Sequence, residues 1–323
     1  MASEPEETEL ERRASDGDAQ AQFDYGVRVL NGGHAAAEGP RGLALIDAAA
    51  QQGHTDATAM SALFAAMGAG RPQSWDGAFE RLRRAADLGS TNAQGQLDAL
   101  AERGLHRETL FAVPARQRLS DSPRIVALPQ FASPAECDWA IARAADRLKR
   151  AAVFSRQTGD QTYADVRDNS AVEFQLTDMD VALEVLRARI SAATRLPVPI
   201  FEPLQVLHYS VGEQFRPHQD FFDPAVPEFA EMIRRYGQRI ATVLIYLNDD
   251  YAGGETVFPK LGISFRGRRG DALFFTNVDR TGEPDPLTTH AGSPPKSGEK
   301  WIISQWIRDR APGQPTPGGA SAD

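Results

Sequence analysis

Apolar positions follow two different patterns along the 323 residues of this chain. Up to about residue 104 they recur at helical spacing, and the pattern Ala-x-x-Gly-x-x-x-Ala occurs with its glycines at Gly17, Gly53 and Gly89. Both intervals are 36 residues (53 − 17 and 89 − 53). Such a period is typical of stacked helical hairpins, in which glycine ends a helix and small alanines allow close packing. Residues 10–104 are therefore predicted to form a small all-α helical-repeat domain.

After a Pro- and Arg-containing linker at 105–118, the pattern changes to that of a second domain over residues 119–310. Ser133 and Pro134 indicate a helix start, and a further helix is predicted over about 180–194. A short apolar run lies at 124–128, and beyond residue 200 short runs rich in β-branched and aromatic residues predict strands at 204–209, 240–247, 272–276 and 301–307. This order favours an α+β fold whose catalytic domain is a jelly roll, or double-stranded β-helix, with flanking helices.

Both termini are predicted to be disordered. Residues 1–9 are acidic and lack the basic and apolar regions of a secretory signal, and the Pro- and Gly-rich tail at 311–323 cannot bury a core. No apolar run reaches the roughly 18 residues that span a bilayer. These observations predict a cytoplasmic protein without a membrane partner.

Charge and cysteine content narrow the functional classes. The net charge is −9 and no basic stripe stands out, which argues against a nucleic-acid partner held by phosphate contacts. Cys137 is the single cysteine, so an intramolecular disulfide framework is impossible.

The candidate chemistry lies at His218-Gln219-Asp220. On an extended segment, side chains two residues apart point to the same side, so this imidazole and carboxylate can reach one cation. A second imidazole from a distant strand would complete three ligands on one face of an octahedron, an arrangement favoured by non-haem Fe(II) oxygenases. His-x-Asp alone is common, so the surrounding motifs decide its meaning.

These motifs occur in a fixed order along residues 119–310. They are Tyr209-x-x-Gly212-x-x-Phe215-x-Pro217 before the first histidine, Arg239-x-x-Thr242-x-Leu244-x-Tyr246 and Gly253-Gly254-Glu255-Thr256-x-Phe258-Pro259 after it, and finally His290-Ala291-Gly292 with Lys300-Trp301. Together they resemble the catalytic domain of the prolyl 4-hydroxylase family within the 2-oxoglutarate oxygenases. Residues 10–104 resemble Sel1-like repeats, which are related to tetratricopeptide repeats.

The resemblance implies a complete cofactor site. Fe(II) would be bound by His218, Asp220 and His290, and O2 would be the second cosubstrate. The cosubstrate 2-oxoglutarate would be held by Lys300, Tyr209 and Thr256, and ascorbate would serve as a reductant. A buried ammonium is costly unless it is partnered, and the apolar residues after Lys300 suggest burial.

The resemblance also implies a peptide-binding groove, lined by Arg167, Glu202, Arg239, Trp306 and Arg308. Residues 157–165 would form a loop that closes over the peptide. Each of the five side chains could instead be a solvated surface group. Residues 225–237 are longer than is usual in the family and are predicted to form a helix near the mouth of the site.

The function implied is hydroxylation of prolyl residues in a protein or peptide, with release of succinate and CO2. An intact Asp220 favours hydroxylation over halogenation. An oxygenase acting on another residue or on a small molecule is the first alternative, and a repeat-based adaptor with an inactive oxygenase domain is the second. The helical repeats could bind a protein partner or pack against the catalytic domain.

Overall fold

The structure is a computed structural model that describes residues 4–32, 35–151, 153–154, 161–162, 167–311 and 314. Its helices are α1 (Glu4–Ser15), α2 (Ala19–Asn31), α3 (Ala35–Gln51), α4 (Thr55–Met67), α5 (Trp75–Asp87), α6 (Thr91–Ala101), α7 (Arg107–Leu110), α8 (Pro134–Ala144), α9 (Val181–Thr194) and α10 (Pro227–Tyr236). Short 3-10 turns cover Ala145–Arg147, Leu176–Asp178, Val198–Ile200 and Pro286–Thr288.

The strands are β1 (Gln117–Asp121), β2 (Arg124–Leu128), β3 (Lys149–Arg150), β4 (Val153–Phe154), β5 (Gln161–Thr162), β6 (Ser170–Phe174), β7 (Leu204–Tyr209), β8 (Phe215–His218), β9 (Arg239–Tyr246), β10 (Ala252–Gly253), β11 (Thr256–Phe258), β12 (Ile263–Phe265), β13 (Ala272–Thr276), β14 (His290–Gly292), β15 (Pro295–Ser297) and β16 (Lys300–Arg308). The chain divides into two compact units. The helical unit comprises Met1–Phe111 and Phe174–Arg187, and the sheet unit comprises Ala112–Glu173 and Ala188–Asp323.

The helical unit contains the glycine turns that the sequence predicts. Gly17, Gly53 and Gly89 follow α1, α3 and α5 with φ of +93°, +85° and +95°, a backbone region that favours glycine. The next residue caps the following helix, and its side chain accepts a hydrogen bond from the N–H three residues on: Asp18 from Ala21, His54 from Ala57, and Ser90 from Ala93. One helix–turn–helix geometry is therefore repeated three times.

The division of the chain differs from the predicted boundaries at one internal segment. Phe174–Arg187 belongs to the helical unit although it lies within the predicted domain at 119–310. Leu176 packs against the apolar cluster of α2, α3 and α4, and Gln96 accepts a hydrogen bond from the backbone N–H of Val181 at 2.9 Å. Helix α9 is consequently divided between the two units.

Two further boundaries differ from the sequence-based expectation. Helix α1 begins at Glu4, within the predicted disordered segment 1–9, and α7 lies within the predicted linker 105–118. Both segments are short and polar, and a sequence pattern is a weak signal for such helices. The predicted loop at 157–165 lies outside the described residues except for Gln161 and Thr162, as does the tail at 311–323 except for Ala311 and Gln314.

The sheet unit is built on two antiparallel sheets. The major sheet has the strand order β1-β2-β13-β9-β16-β7-β6-β3, and the minor sheet has the order β12-β11-β14-β8. Two small ladders, β10 with β15 and β4 with β5, complete the pairings among the described strands. The predicted combination of helices with antiparallel sheets is confirmed. This arrangement is consistent with a jelly roll.

An apolar core lies between the two sheets. Leu207, Leu244, Leu273 and Ile302 come from the inner face of the major sheet and pack in one cluster with Phe258 of the minor sheet. Because side chains alternate between the faces of a strand, the residues two positions away also point inward. Tyr209, Thr242, Tyr246 and Lys300 therefore share this inner face.

The predicted strands agree closely with the observed ones. The predicted strands at 204–209 and 272–276 have the bounds of β7 and β13, and the apolar run at 124–128 forms β2. Ser133 caps α8 in a capping box with Glu136, so the predicted helix start is confirmed. No helix in the described part of the chain has the length and apolar character needed to cross a membrane.

Candidate metal centre

The minor sheet brings the two predicted histidine ligands together. His218 ends β8 and His290 begins β14, and the two residues are direct partners across this antiparallel pair. Asp220 follows β8, with Oδ1 3.6 Å from His218 Nε2 and Oδ2 3.6 Å from His290 Nε2. One ligand atom from each of the three residues lies within 4.8 Å of the others. These positions suit a common cation.

Backbone carbonyls orient both imidazoles. His218 Nδ1 lies 2.8 Å from the carbonyl oxygen of Arg216, and His290 Nδ1 lies 3.0 Å from that of Thr288. A carbonyl only accepts, so each Nδ1 carries the proton and each Nε2 presents a lone pair. Histidine ligands of metals are commonly oriented in this way. Two imidazole nitrogens and one carboxylate fit the facial triad of non-haem Fe(II) oxygenases.

Two buried polar residues support the carboxylate ligand. Thr242 Oγ1 donates a hydrogen bond of 2.6 Å to Asp220 Oδ2, and Asn277 Nδ2 donates one of 3.0 Å to Thr242 Oγ1. Burial alone would raise the pKa of Asp220, but His290, His218 and the Thr242 hydrogen bond outweigh it and lower that pKa. The carboxylate is therefore held in the charged form that binds metals.

Aromatic side chains enclose the histidines. Phe215 stacks on the ring of His218 with a centroid distance of 3.4 Å and an interplanar angle of 11°, and Phe275 lies edge-on to His290 at 4.8 Å. Burial, followed by the nearby His218, lowers the pKa of His290 to about 4. His290 is thus neutral at physiological pH, as a metal ligand must be.

A second polar subsite lies beside this centre on the inner face. Lys300 and Tyr209 are direct partners across β16 and β7, and a Cβ added to Gly292 of β14 would lie 3.6 Å from the Tyr209 hydroxyl oxygen. Thr256 pairs with the same Gly292 across β11 and β14. Tyr209 and Thr256 therefore both lie against Gly292 in the strand that begins at His290, and Lys300 lies opposite Tyr209.

Lys300 is the charged group of this subsite. Its side chain is 1% exposed, and its Nζ lies 5.3 Å and 5.5 Å from the ring centroids of Tyr209 and Tyr246. Burial lowers its pKa to about 7, with Glu255 opposing the shift. Among the described residues, no carboxylate forms an ion pair with Lys300 within 4.0 Å. An anionic ligand would supply the missing counter-charge.

Four of the five predicted substrate residues form one buried cluster. Glu202 accepts two hydrogen bonds from Arg239, at 2.6 and 2.7 Å, and lies 2.9 Å from Arg308 Nε. The guanidinium of Arg239 lies 3.7 Å above the ring of Trp306. Ordinary solvated surface charges, the alternative for these residues, would not be buried or paired in this way.

The fifth residue, Arg167, is also buried and lies nearer the metal ligands. Its Nε donates a hydrogen bond of 2.9 Å to Asn169 Oδ1, and its guanidinium lies 4.8 Å above the ring of Phe215, which stacks on His218. Helix α10, predicted at the insertion, contacts the cluster instead: Phe229 packs on Phe222, over which Arg308 lies.

Sequence reasoning assigned no role to Thr242, Asn277 or Tyr246. The Tyr246 hydroxyl is 2.7 Å from Thr256 Oγ1, so Thr256 is tied to a tyrosine of the major sheet. Thr242 and Tyr246 belong to the motif that begins at Arg239. Each lies two residues from Leu244, so all three side chains point to the same face of the strand. That period could have identified both residues. Asn277 follows β13 and offers no comparable signal.

Comparisons with known proteins agree with this geometry. A sequence model of the 2OG-Fe(II) oxygenase superfamily matches residues 204–308. Prolyl 4-hydroxylase 1 of Arabidopsis thaliana is 35% identical over 209 residues, covering 60% of this chain and 71% of the relative. Probable prolyl 4-hydroxylase 4 of the same plant is 34% identical, covering 62% and 72%, and rat prolyl 4-hydroxylase subunit alpha-1 is 36% identical, covering 64% and 39%.

The fold and the two-histidine, one-carboxylate cluster define a 2-oxoglutarate-dependent dioxygenase, a class whose cofactors are Fe(II), 2-oxoglutarate and O2. The two plant prolyl 4-hydroxylases match over more than two thirds of their own length, which identifies the family within this class. This chain belongs to the prolyl 4-hydroxylase family of 2OG-Fe(II) oxygenases.

Proposed function

We propose that this enzyme hydroxylates prolyl residues in a protein or peptide, with 2-oxoglutarate and O2 consumed and succinate and CO2 released. The observation that carries the proposal is the pairing of His218 with His290 next to Asp220, with the buried ammonium of Lys300 on the adjoining inner face. The relatives at 34–36% identity, all prolyl 4-hydroxylases, support the prolyl substrate.

His218, Asp220 and His290 would hold Fe(II). Bound Fe(II) supplies the oxidative chemistry, in which one oxygen atom of O2 enters the substrate C–H bond and the other enters succinate. The chain's own residues prepare the site for it. The carbonyl oxygens of Arg216 and Thr288 orient the imidazoles, and the surrounding phenylalanines exclude water.

Lys300, Tyr209 and Thr256 would bind 2-oxoglutarate. The distal carboxylate would pair with Lys300, because a buried ammonium gains most from a fully desolvated counter-charge. Tyr209 lies opposite Lys300 on β7, and Tyr246 and Thr256 share a hydroxyl hydrogen bond on the same inner face, so these hydroxyls would donate to that carboxylate. Burial depresses the pKa of Lys300, and a bound carboxylate would favour its charged form.

Glu202, Arg239, Trp306, Arg308 and Arg167 would line the substrate groove. The bidentate Glu202–Arg239 pair fixes the guanidinium over the Trp306 ring, so the cluster is rigid before substrate binds. A rigid wall of polar and aromatic groups suits an extended peptide, whose backbone offers carbonyl acceptors and whose proline ring packs on aromatic surfaces.

The second candidate function is oxidation of a different class of substrate, and one observation favours it. Helix α10 packs Phe229 against Phe222, and Arg308 is bonded to the backbone oxygen of Gly237 at the end of that helix. An insertion anchored to the substrate cluster can reshape the groove. The enzyme would then act on another residue or on a small molecule with the same iron site.

We further propose that the three hairpins of the helical unit are Sel1-like repeats that recruit a protein partner. Their repeated glycine turns and helix caps support this. Hydrogen exchange in α1 to α6 should slow when the native protein substrate is added. Unchanged exchange throughout these helices would contradict a recruiting role. The reductant of the enzyme would be ascorbate, and the enzyme would act in the cytoplasm.

Spectroscopy tests the cofactor site. Anaerobic addition of Fe(II) and 2-oxoglutarate should produce a weak visible metal-to-ligand charge-transfer band, which His290→Ala should abolish. No band from the wild-type protein would contradict the enzyme proposal. Mass spectrometry of proline-rich peptides after turnover then tests the substrate, since hydroxylation adds the mass of one oxygen atom to proline. Succinate formation without that product would favour the second candidate.

A further inference from the structure

A continuous hydrogen-bonded chain runs from Asn277 through Thr242 to the proposed metal ligand Asp220. Thr242 lies within β9, and Asn277 directly follows β13; both side chains are 0% exposed. The two links measure 3.0 Å and 2.6 Å. Asp220 itself lies in the turn after β8, so its own backbone is not held by strand pairing. An external anchor is therefore required to orient its carboxylate.

The direction of each hydrogen bond follows from the groups involved. The ionised Asp220 carboxylate only accepts, so the single hydroxyl hydrogen of Thr242 must point to Asp220 Oδ2. The Thr242 oxygen can then only accept from Asn277, which requires the NH2 side of that amide to face it. The two hydrogen bonds therefore allow only one placement of the hydroxyl and amide hydrogens.

Both supporting residues are held by the major sheet. Thr242 pairs with Phe275 on β13 and with Trp306 on β16. The backbone N–H of Asn277 donates to the carbonyl oxygen of Ile240 at 2.8 Å, and its own carbonyl oxygen accepts from Asp285. The chain thus transfers the rigidity of the major sheet to a ligand that lies beside the minor sheet.

We propose that Thr242 and Asn277 are positioning residues that orient the Asp220 carboxylate before metal arrives, and thereby set the affinity of the site for divalent iron. The carboxylate carries its Thr242 bond on Oδ2 and has Oδ1 on the side of His218 Nε2. Ligands held in place before binding lose less conformational freedom when the metal binds. Replacing groups that support metal ligands in this way commonly weakens metal binding by about 10- to 100-fold.

The competing explanation is purely structural. Thr242 would then only satisfy a buried carboxylate, and its loss would lower the stability of the fold without changing metal affinity. The two explanations differ in what they predict for a metal titration of the folded protein. The inference rests on the metal site proposed above, so the wild-type titration tests that site separately.

The experiment compares Thr242→Val, which has the same shape without the hydroxyl, with Thr242→Ser, which keeps the hydroxyl. Anaerobic titration with Fe(II), and with Mn(II) as a redox-stable probe, gives the dissociation constants. We expect T242V to bind about 10- to 100-fold more weakly, and T242S to bind as the wild type does. Asn277→Ala should give a smaller loss, because Thr242 can still donate to Asp220.

Thr58→Val is the matched control. Thr58 is buried on α4 of the helical unit, and its hydroxyl donates to the carbonyl oxygen of His54 at 2.8 Å. Its removal should lower thermal stability and leave metal affinity unchanged. Equal affinities for the wild type and folded T242V would overturn the positioning role while leaving the proposed function intact. A wild-type protein that does not bind metal would overturn both.

Discussion

Lys300 and Tyr209 face each other across β16 and β7, with the ammonium 5.3 Å from the centre of the phenol ring. No described carboxylate pairs with this ammonium within 4.0 Å, and burial holds its pKa at about 7. The lysine therefore changes charge near physiological pH in the free protein. Ligand binding at this subsite is expected to depend on pH.

The affinity for 2-oxoglutarate should fall as the pH rises above about 7. Below that pH Lys300 is charged in the free protein, whereas above it the anion must bind together with a proton. The apparent Kd should then rise about tenfold per pH unit. Anaerobic calorimetry in two buffers of different ionisation enthalpy, with Mn(II) in the metal site, measures both the affinity and the proton uptake. A Kd that stays constant across this range would show that Lys300 is charged throughout.

Replacing Lys300 with methionine should stabilise the protein when 2-oxoglutarate is absent. A buried ammonium without a partner costs free energy, and even a buried ion pair can be replaced by apolar side chains of similar volume with a gain of up to about 1–4 kcal/mol. Thermal unfolding below pH 7, where the lysine is charged, measures the difference. The variant should gain nothing from added 2-oxoglutarate, unlike the wild type. Lys296→Met, at an exposed position on β15, should change stability by no more than about 0.5 kcal/mol.

Glu202→Gln should destabilise the sheet unit by about 3–5 kcal/mol at neutral pH, because Arg239 and Arg308 would lose a buried counter-charge. Burial alone would raise the pKa of Glu202, but the guanidiniums of Arg239 and Arg308 outweigh it and lower that pKa. The carboxylate therefore stabilises the fold above its ordinary pKa of 4.5, and this contribution is lost as the pH falls through the lower folded-state value.

Urea unfolding at several pH values checks this prediction for Glu202. The difference between E202Q and the wild type should shrink in acid. Glu231→Gln is the control, since Glu231 pairs with Arg234 on the exposed face of α10 and should contribute at most about 1 kcal/mol. Equal effects of the two substitutions at neutral pH would contradict the burial argument.

Gly53→Ala should destabilise the helical unit by about 1–2 kcal/mol through the backbone alone. Gly53 has φ of +85°, and a Cβ there would meet no atom within 4 Å, so no steric contact adds to the cost. Asparagine tolerates this backbone region better than alanine does. Chemical denaturation should therefore show a smaller loss for Gly53→Asn. A larger loss for asparagine would indicate that the turn is not held at positive φ.

Local signals in the sequence were sufficient for many elements. The bounds of β7 and β13 follow from short runs of β-branched and aromatic residues, and Ser133 with Glu136 identifies the start of α8. The glycine period predicted stacked helical hairpins, and its three glycines lie in turns of positive φ. These features depend on neighbours within a few residues, which a sequence pattern contains.

The candidate metal ligands were also predictable, from their spacing and from the resemblance of the surrounding motifs to a known family. His218 and Asp220 are close in sequence, whereas His290 was placed by resemblance to a family. The assignment of Phe174–Arg187 to the helical unit was not predictable, because it depends on packing of Leu176 against α2 to α4 and on the bond from Val181 to Gln96. Non-local packing of this kind leaves no periodic signal.

Sequence alone therefore determined which residue types are available for chemistry and which segments form strands and turns. Tertiary structure decided how they meet: His218 opposite His290, Lys300 opposite Tyr209, and Glu202 between two arginines. It also revealed Thr242 and Asn277 behind Asp220. The physical reason is that strand register and burial arise from contacts between distant segments, and these contacts set which buried polar groups become partners.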